Sequence, residues 1–359
     1  MSLLIIVFFT AFVVVLYSTP SLIKVAVLKR LIDHPSEERK IHTRSIPTIG
    51  GIIIFAATIF AYTLWYSIEY YREAKAMVTS VNEFKLIIAT SLVLFFVGIK
   101  DDIIGTAPVK KLFAHILVAM ILVLMGDLRI SSLHGIFGAY TIPYWASVFL
   151  SIFTYVVVVN SFNLIDGVDG LAAGVGFITS TSFGIWFVSA GEFPYAALSF
   201  ALSGALLGFL VFNFAPAKIF MGDSGSLIVG LFICILAIKL IEFPSHKLNF
   251  FWLRVSKPIF VIAILAYPLL DTLRSFTIRT FKGISPFMAD RNHIHHKLLD
   301  NGYSHQKTAV IVYLFSILNL LLALASYYLP FPTLSLILIV VFSFGFLFTV
   351  IRLNGIRRA

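Results

Sequence analysis

The sequence predicts an all-α fold, a polytopic membrane helix bundle of about eleven transmembrane helices, with the N-terminus outside and the C-terminus in the cytosol. Three observations carry that expectation. Of the 359 residues, 59% are hydrophobic and only 12% are charged, whereas a soluble domain normally carries about 25% charged residues. Mean hydropathy is +0.98, more apolar surface than a water-soluble fold of this size can hide. The apolar residues also come in runs close to the roughly 20 needed to cross a hydrocarbon layer of about 30 Å.

The runs fall at 3–23, 47–67, 85–100, 111–126, 143–161, 171–190, 194–213, 224–242, 257–276, 307–328 and 331–352. The first lacks a basic flank before it and a small-x-small cleavage pattern after it, so it reads as an uncleaved helix rather than a signal peptide. The third and fourth are short for a full crossing. The last two are joined by a tight turn at Pro330 and Pro332, with Tyr327 and Tyr328 set at headgroup depth. No internal repeat or low-complexity tract divides the chain, and residues 1–359 are expected to form a single domain. Its one cysteine, Cys234, lies inside an apolar run, which excludes a disulfide framework and a cysteine zinc site.

Charge sets the orientation. The formal net charge is +10. In a chain this apolar, that excess speaks for orientation in a bilayer and not for nucleic acid. With the N-terminus outside, most Lys and Arg fall on the cytosolic side, concentrated in 24–44 and 274–307. Every aspartate except Asp127 falls on that same side, while most glutamates do not. Orientation rules barely concern acids, so clustered short carboxylates point to a metal or phosphate site.

Four segments carry chemistry. Asp101 and Asp102 end the third span; adjacent carboxylates must be solvated, paired or metal-bound, and about 100° between successive helical residues gives them different partners. Asn160, Asn163, Asp166 and Asp169 recur every third position, with Gly167 and Gly170 allowing the helix to break and turn the two acids toward one cleft. Asn213 and Asp223 bracket a loop between spans, where Asp223 is either the N-cap of the next helix or a hard oxygen ligand beside small residues. Asp290, Arg291, His293, His295 and His296 lie in a basic loop, suited to zinc, phosphate or a nucleotide base. Arg44 precedes Pro47-Thr-Ile-Gly-Gly51, Lys110 and Lys111 open the fourth span, and Asp271 and Arg274 are spaced to pair on the ninth.

All four segments fall on one membrane face under this topology. A secondary transporter, the rival of a different class, should place its charges near the midplane and show repeat symmetry. A zinc hydrolase should pair its histidines with a carboxylate as in H-E-x-x-H, and that spacing is missing.

Taken together, these motifs resemble the polyprenyl-phosphate N-acetylhexosamine-1-phosphate transferases. The likeness runs from Arg44-x-x-Pro-Thr-x-Gly-Gly51 through Asp101-Asp102, Asn160-x-x-Asn163-x-x-Asp166-Gly-x-Asp169-Gly170 and Phe220-Met-Gly-Asp223-x-Gly-Ser226 to His293-x-His295-His296. Ile294 interrupts the histidine run, which is closer to the branch that uses UDP-GlcNAc than to the phospho-MurNAc-pentapeptide transferases. The resemblance implies transfer of a sugar 1-phosphate from a UDP-N-acetylhexosamine to undecaprenyl phosphate, at the cytosolic face of a bacterial inner membrane. It also implies magnesium as cofactor, with manganese as the alternative ion, membrane lipids as surroundings and a homodimer as an expected assembly. By matching motif, Asp223 and Asp102 would hold the metal, and Asp101 or Asp102 would orient or deprotonate the lipid phosphate. Lys111 would contact the diphosphate, and Asn163, Asp166 and Asp169 would line the nucleotide pocket. The histidines would close the site, with Arg44, Asn160, Asn213 and Arg291 completing the substrate-binding set.

Overall fold

A computed structural model describes residues 2–29, 32–33, 46–65, 74–283, 293–329 and 331–356. The chain is helical almost throughout, as lipid demands of a backbone that must satisfy its own hydrogen bonds. In chain order the helices are α1 Ser2–Leu28, α2 Gly50–Leu64, α3 Ala74–Ile104, α4 Pro108–Met120, α5 Tyr144–Leu164, α6 Leu171–Ala190 and α7 Phe193–Asn213. They continue with α8 Gly222–Ile241, the short α9 Phe250–Arg254, α10 Lys257–Ile264, α11 Ala266–Phe281, α12 Ile294–Asp300, α13 His305–Ala325 and α14 Pro332–Ile356. Two short strands, β1 Ile32–Asp33 and β2 Ile46–Pro47, pair antiparallel.

Each expected span meets a helix or a bent pair of helices. Among the described residues eight helices are long and apolar enough to cross a membrane, and nine if the bent pair counts as one. Three differences are seen. The third helix is the longest, 31 residues, because its polar start (Ala74–Glu83) is rich in good helix formers that a hydropathy scan passes over. The fourth continues beyond α4 through a π turn at Ile121–Met125. The ninth is broken by 69° between α10 and α11. Pro268 explains the break: it has no N–H for the Ile264 carbonyl, and its ring crowds that carbonyl.

α8 is the central post. It is apolar all round, and 94% of its spanning window is buried, as expected of a helix without a polar face. α2, α3, α5, α6, α7 and α10 pack around it. Small residues let the backbones close up: a Cβ on Gly51 would stand 2.0 Å from the Gly225 nitrogen, and one on Gly98 would stand 2.4 Å from Ser224 Cα. Gly204 and Gly208 of α7 do the same for α1, meeting the carbonyls of Phe8 and Phe12. At the end of α8 remote from Asp223, Lys239 pairs with Glu83 of α3 at 2.6 Å.

Candidate active site

The N-terminus of α8 organises the site. Gly222 begins the helix at φ +71°, a left-handed conformation that favours glycine. A Cβ there would meet the Thr48 carbonyl at 2.0 Å and both Asp102 oxygens within 2.8 Å. The residue at the N-cap position, Met221, has no side-chain acceptor to offer, so the first N–H groups of α8 need partners from elsewhere. They find two carboxylates. Asp102 Oδ1 accepts from the Asp223 N–H at 2.7 Å and Oδ2 from the Ser224 N–H at 3.0 Å, and Asp166 accepts from the Gly222 N–H. The helix dipole favours negative charge at this end. The capping role weighed for Asp223 thus belongs to Asp102, which reaches it from the end of α3.

Relieved of capping, Asp223 turns to Lys111. The Lys111 ammonium at the start of α4 lies 2.5 Å from Asp223 Oδ2 and 3.0 Å from Asp101 Oδ2. Asp101 and Asp102 therefore have the different partners that adjacent helical positions require. The second motif joins through Asn163, which donates to Ser226 Oγ at 3.0 Å. Asn160 lies half-buried one turn back on α5.

Burial and crowding raise the acids. Asp101 and Asp102 lie past the apolar stretch 85–100. Desolvation lifts Asp101, reinforced by Asp223 and opposed by Lys111. Asp102 is lifted to about 7 by burial, against the hydrogen bonds it accepts from Ser224 and Asp223. Asp166, between α5 and α6, is pushed well above the carboxylate range, first by burial and then by Asp223 and Asp102. Carboxylates that raise one another in this way form a site short of positive charge.

Asp169 and Asn213 hold the frame beside it. Asp169 is 6% exposed; its Oδ2 accepts from the Ala217 N–H at 3.0 Å and its Oδ1 lies 3.3 Å from His305 Nδ1. Asn213 donates to the Ile219 carbonyl at 2.9 Å and accepts from the Gly170 N–H at 3.1 Å. Both tie the Asp166–Gly170 turn to the segment leading into α8. Tyr313 of α13 completes the brace by donating to the Gly170 carbonyl at 2.5 Å. Sequence reasoning missed His305 and Tyr313, whose spacing in an ordinary apolar helix carries no signal. It also missed the purpose of Pro47–Gly51. The Gly50 and Gly51 N–H groups donate to the Phe220 and Met221 carbonyls at 3.0 and 2.8 Å, and the Phe220 N–H donates to Pro47 at 2.8 Å, fixing the approach to α8.

The histidines reach the same turn from the other side. His293 precedes α12, and its Nδ1 lies 2.7 Å from Asp271 Oδ2. Asp271, spaced to pair with Arg274, spends its carboxylate on His293 and on the Ile294 N–H. His295 is 1% exposed and faces the second motif: a Cβ on Gly167 would sit 2.7 Å from its Nε2. Burial lowers its pKa to about 3, so the ring is neutral. His296 packs beside it, ring centroids 4.4 Å apart. Arg44 and Arg291 lie outside the described residues, as does Asp290.

Among the described residues no three His, Cys, Asp or Glu side chains close on one point to hold a metal. Zinc needs such a cage. Magnesium takes one or two protein carboxylates and completes its shell with phosphates and water, and the oxygen-only donors Asp101, Asp102 and Asp223 fit that habit.

The sequence pattern of the family described as glycosyl transferase family 4 matches residues 84–241, from within α3 to the end of α8. The decaprenyl-phosphate N-acetylglucosaminephosphotransferase of Mycolicibacterium smegmatis is 31% identical over 85% of this chain and 77% of its own length. That of Mycobacterium tuberculosis is 32% identical over 77% and 71%. The undecaprenyl-phosphate alpha-N-acetylglucosaminyl 1-phosphate transferase of Escherichia coli K12 is 29% identical over 80% and 74%. With that identity spread over most of both chains, and with the matched region ending on the helix that organises the site, the chain belongs to glycosyl transferase family 4, among the polyprenyl-phosphate N-acetylhexosamine-1-phosphate transferases.

Proposed function

We propose that this protein transfers N-acetylglucosamine 1-phosphate from UDP-N-acetylglucosamine to undecaprenyl phosphate, giving the lipid diphosphate sugar and UMP. The site faces the cytosol in a bacterial inner membrane, where most of the basic residues also lie. The supporting observation is the meeting of three acidic motifs and Lys111 at the N-terminus of α8. The names of the relatives supply the sugar and the lipid.

Attack of one phosphate on another sets anion against anion, so catalysis rests on positioning and charge neutralisation. An oxygen of the lipid phosphate forms a bond to the phosphorus that carries the sugar. The bond from that phosphorus to the bridging oxygen breaks, and UMP leaves with the electron pair. Lys111 supplies positive charge to the diphosphate, and Asp101 orients the lipid phosphate or takes its proton. Asn163 and Asp166 line the nucleotide side, and His295 and His296 close the pocket beside Gly167. Magnesium would be held by Asp223 with Asp102 or Asp101, and when bound it would offset charge on the transferred phosphate.

The test is UMP release by detergent-purified protein with magnesium and undecaprenyl phosphate, offering UDP-N-acetylglucosamine and UDP-MurNAc-pentapeptide in parallel with a chelator control. Turnover of the first, abolished by chelation, is expected. Turnover of the pentapeptide substrate alone would move the protein to the peptidoglycan branch.

A further inference from the structure

We propose that Asp271 is a positioning residue for this reaction, seating His295 against the Asp166–Gly167 turn by fixing both His293 and the start of α12; the proposal rests on the functional reading above. Asp271 is 0% exposed and sits one turn into α11, just past the break at Leu265. A carboxylate in such a place is retained only with its lone pairs matched. One oxygen accepts the Ile294 N–H, the first of α12, and the other meets His293 Nδ1 at 2.7 Å. The far nitrogen, His293 Nε2, faces an Arg279 guanidinium nitrogen at 3.4 Å. Guanidinium can only donate, so Nε2 must be the acceptor and Nδ1 must carry the proton. His293 is thereby held with Nδ1 toward Asp271 and Nε2 toward Arg279, with Ser275 Oγ 3.1 Å from the same Nδ1.

This arrangement decides where His295 stands. Its ring stacks on that of His293 at 5.3 Å between centroids and 13° between planes. Its Nδ1 is 3.7 Å from Asp271 Oδ2, too far for a hydrogen bond. Among the described residues neither of its ring nitrogens has a hydrogen-bond partner, although the ring is buried. A buried imidazole facing the Asp166–Gly167 turn is thus held in place by its neighbours and not by hydrogen bonds of its own. Asp271 touches no reacting group; it acts through His293 and the start of α12.

Substitution by Asn breaks the logic without changing the size. An amide offers one acceptor oxygen and one donor nitrogen, but two N–H groups point at this position. In either flip one of them meets the amide NH2, and moving the His293 proton to Nε2 would aim it at Arg279. Asp271→Asn should therefore lower kcat/KM for UDP-N-acetylglucosamine by about a hundredfold, less than the roughly ten-thousandfold lost when the mis-set histidine itself transfers the proton, because His293 acts here only by seating His295. Three readouts separate this from general damage. In a double-mutant cycle, Asp271→Asn combined with His295→Ala should be no worse than the weaker single variant within about threefold; multiplicative losses would overturn the proposal. His293→Asn, whose amide donates from the Nδ1 position, should keep at least about tenfold more turnover than His293→Gln; equal activity would overturn it. Tyr267→Phe, one turn back on the same helix, should match wild type.

A fourth readout is independent of turnover. Nitrogen-15 histidine spectra of the full chain in lipid bilayers, with the His293 signal assigned by difference from His293→Asn, should show a neutral ring protonated at Nδ1. A proton on Nε2, or on both nitrogens, refutes the proposal even if the wild-type protein turns over its substrate. Absence of wild-type turnover with a correct His293 tautomer would instead count against the substrate reading alone.

Discussion

Removing the Lys111 ammonium exposes two carboxylates to each other, and the consequence can be worked from the coordinates. Asp101 Oδ2 and Asp223 Oδ2 touch the same nitrogen at 3.0 and 2.5 Å, so they stand no more than about 5.5 Å apart. At an effective dielectric constant of about 20, two unit charges at that separation repel by about 3 kcal/mol. The three side chains are each about one-fifth exposed, and solvent screening lowers this to about 2 kcal/mol. With Lys111→Met that repulsion is no longer offset by the ammonium, so Asp101, already lifted by burial and by Asp223, should titrate higher still. The assay is kcat/KM for UMP release as a function of pH, with Lys111→Arg as the charge-preserving control. The acidic limb should move to higher pH in the Met variant and stay near its place in the Arg variant. Turnover at the plateau should fall by about a hundredfold with the lost phosphate contact. An unmoved limb with turnover within threefold of wild type would refute the assigned geometry.

Asp223 makes no side-chain cap, so Asp223→Asn should leave the melting temperature in detergent within a few degrees while turnover falls at least about a hundredfold; a large loss of stability with turnover intact would reverse that assignment. Gly51→Ala puts a Cβ 2.0 Å from the Gly225 nitrogen, where only backbone can yield, and should destabilise the bundle by about 3 kcal/mol, read as an earlier thermal transition. Gly345→Ala, with nothing within 4 Å, should leave that transition unchanged or raise it. His295 binds its proton less readily when folded, about 3 against 6.5, so acid favours the unfolded chain. Stability should fall by about 1.4 kcal/mol for each pH unit below 6.5, about 2 kcal/mol at pH 5, and thermal scans of His295→Gln should lose that slope; an identical slope in both proteins would show that His295 is accessible.

The spans were legible because lipid imposes length and composition on each crossing, and the acidic motifs because short carboxylates fell on one face. What stayed hidden were bonds whose partners are distant along the chain. Asp102 and Asp223 offered no sign of which would cap α8, since the choice depends on where α3 ends relative to Gly222. The pairing of Asp271 with His293 instead of Arg274 reaches across 22 residues of chain, beyond any helical spacing rule. His305 and Tyr313 are polar groups near one end of an apolar helix, and only the packing of α13 on α6 gives them a purpose. Asp169 shares a motif with Asp166 and Asn213 shares one with Asp223, but neither motif shows that an oxygen of each also accepts a backbone N–H of a distant segment.

The burial of α8 bears on how the protein meets membranes of different thickness. Bilayers press on the helices that touch lipid, making them tilt or stretch when their apolar length does not match. Foremost among them are α1 and α14, whose spanning windows are only 28% and 22% buried, with the α4, α5 and α13 spans at 33–39%. α8 touches almost no lipid, so it has little reason to lean when the outer helices adjust. Mismatch is thereby absorbed at the perimeter, while the acids gathered on the end of α8 keep their spacing.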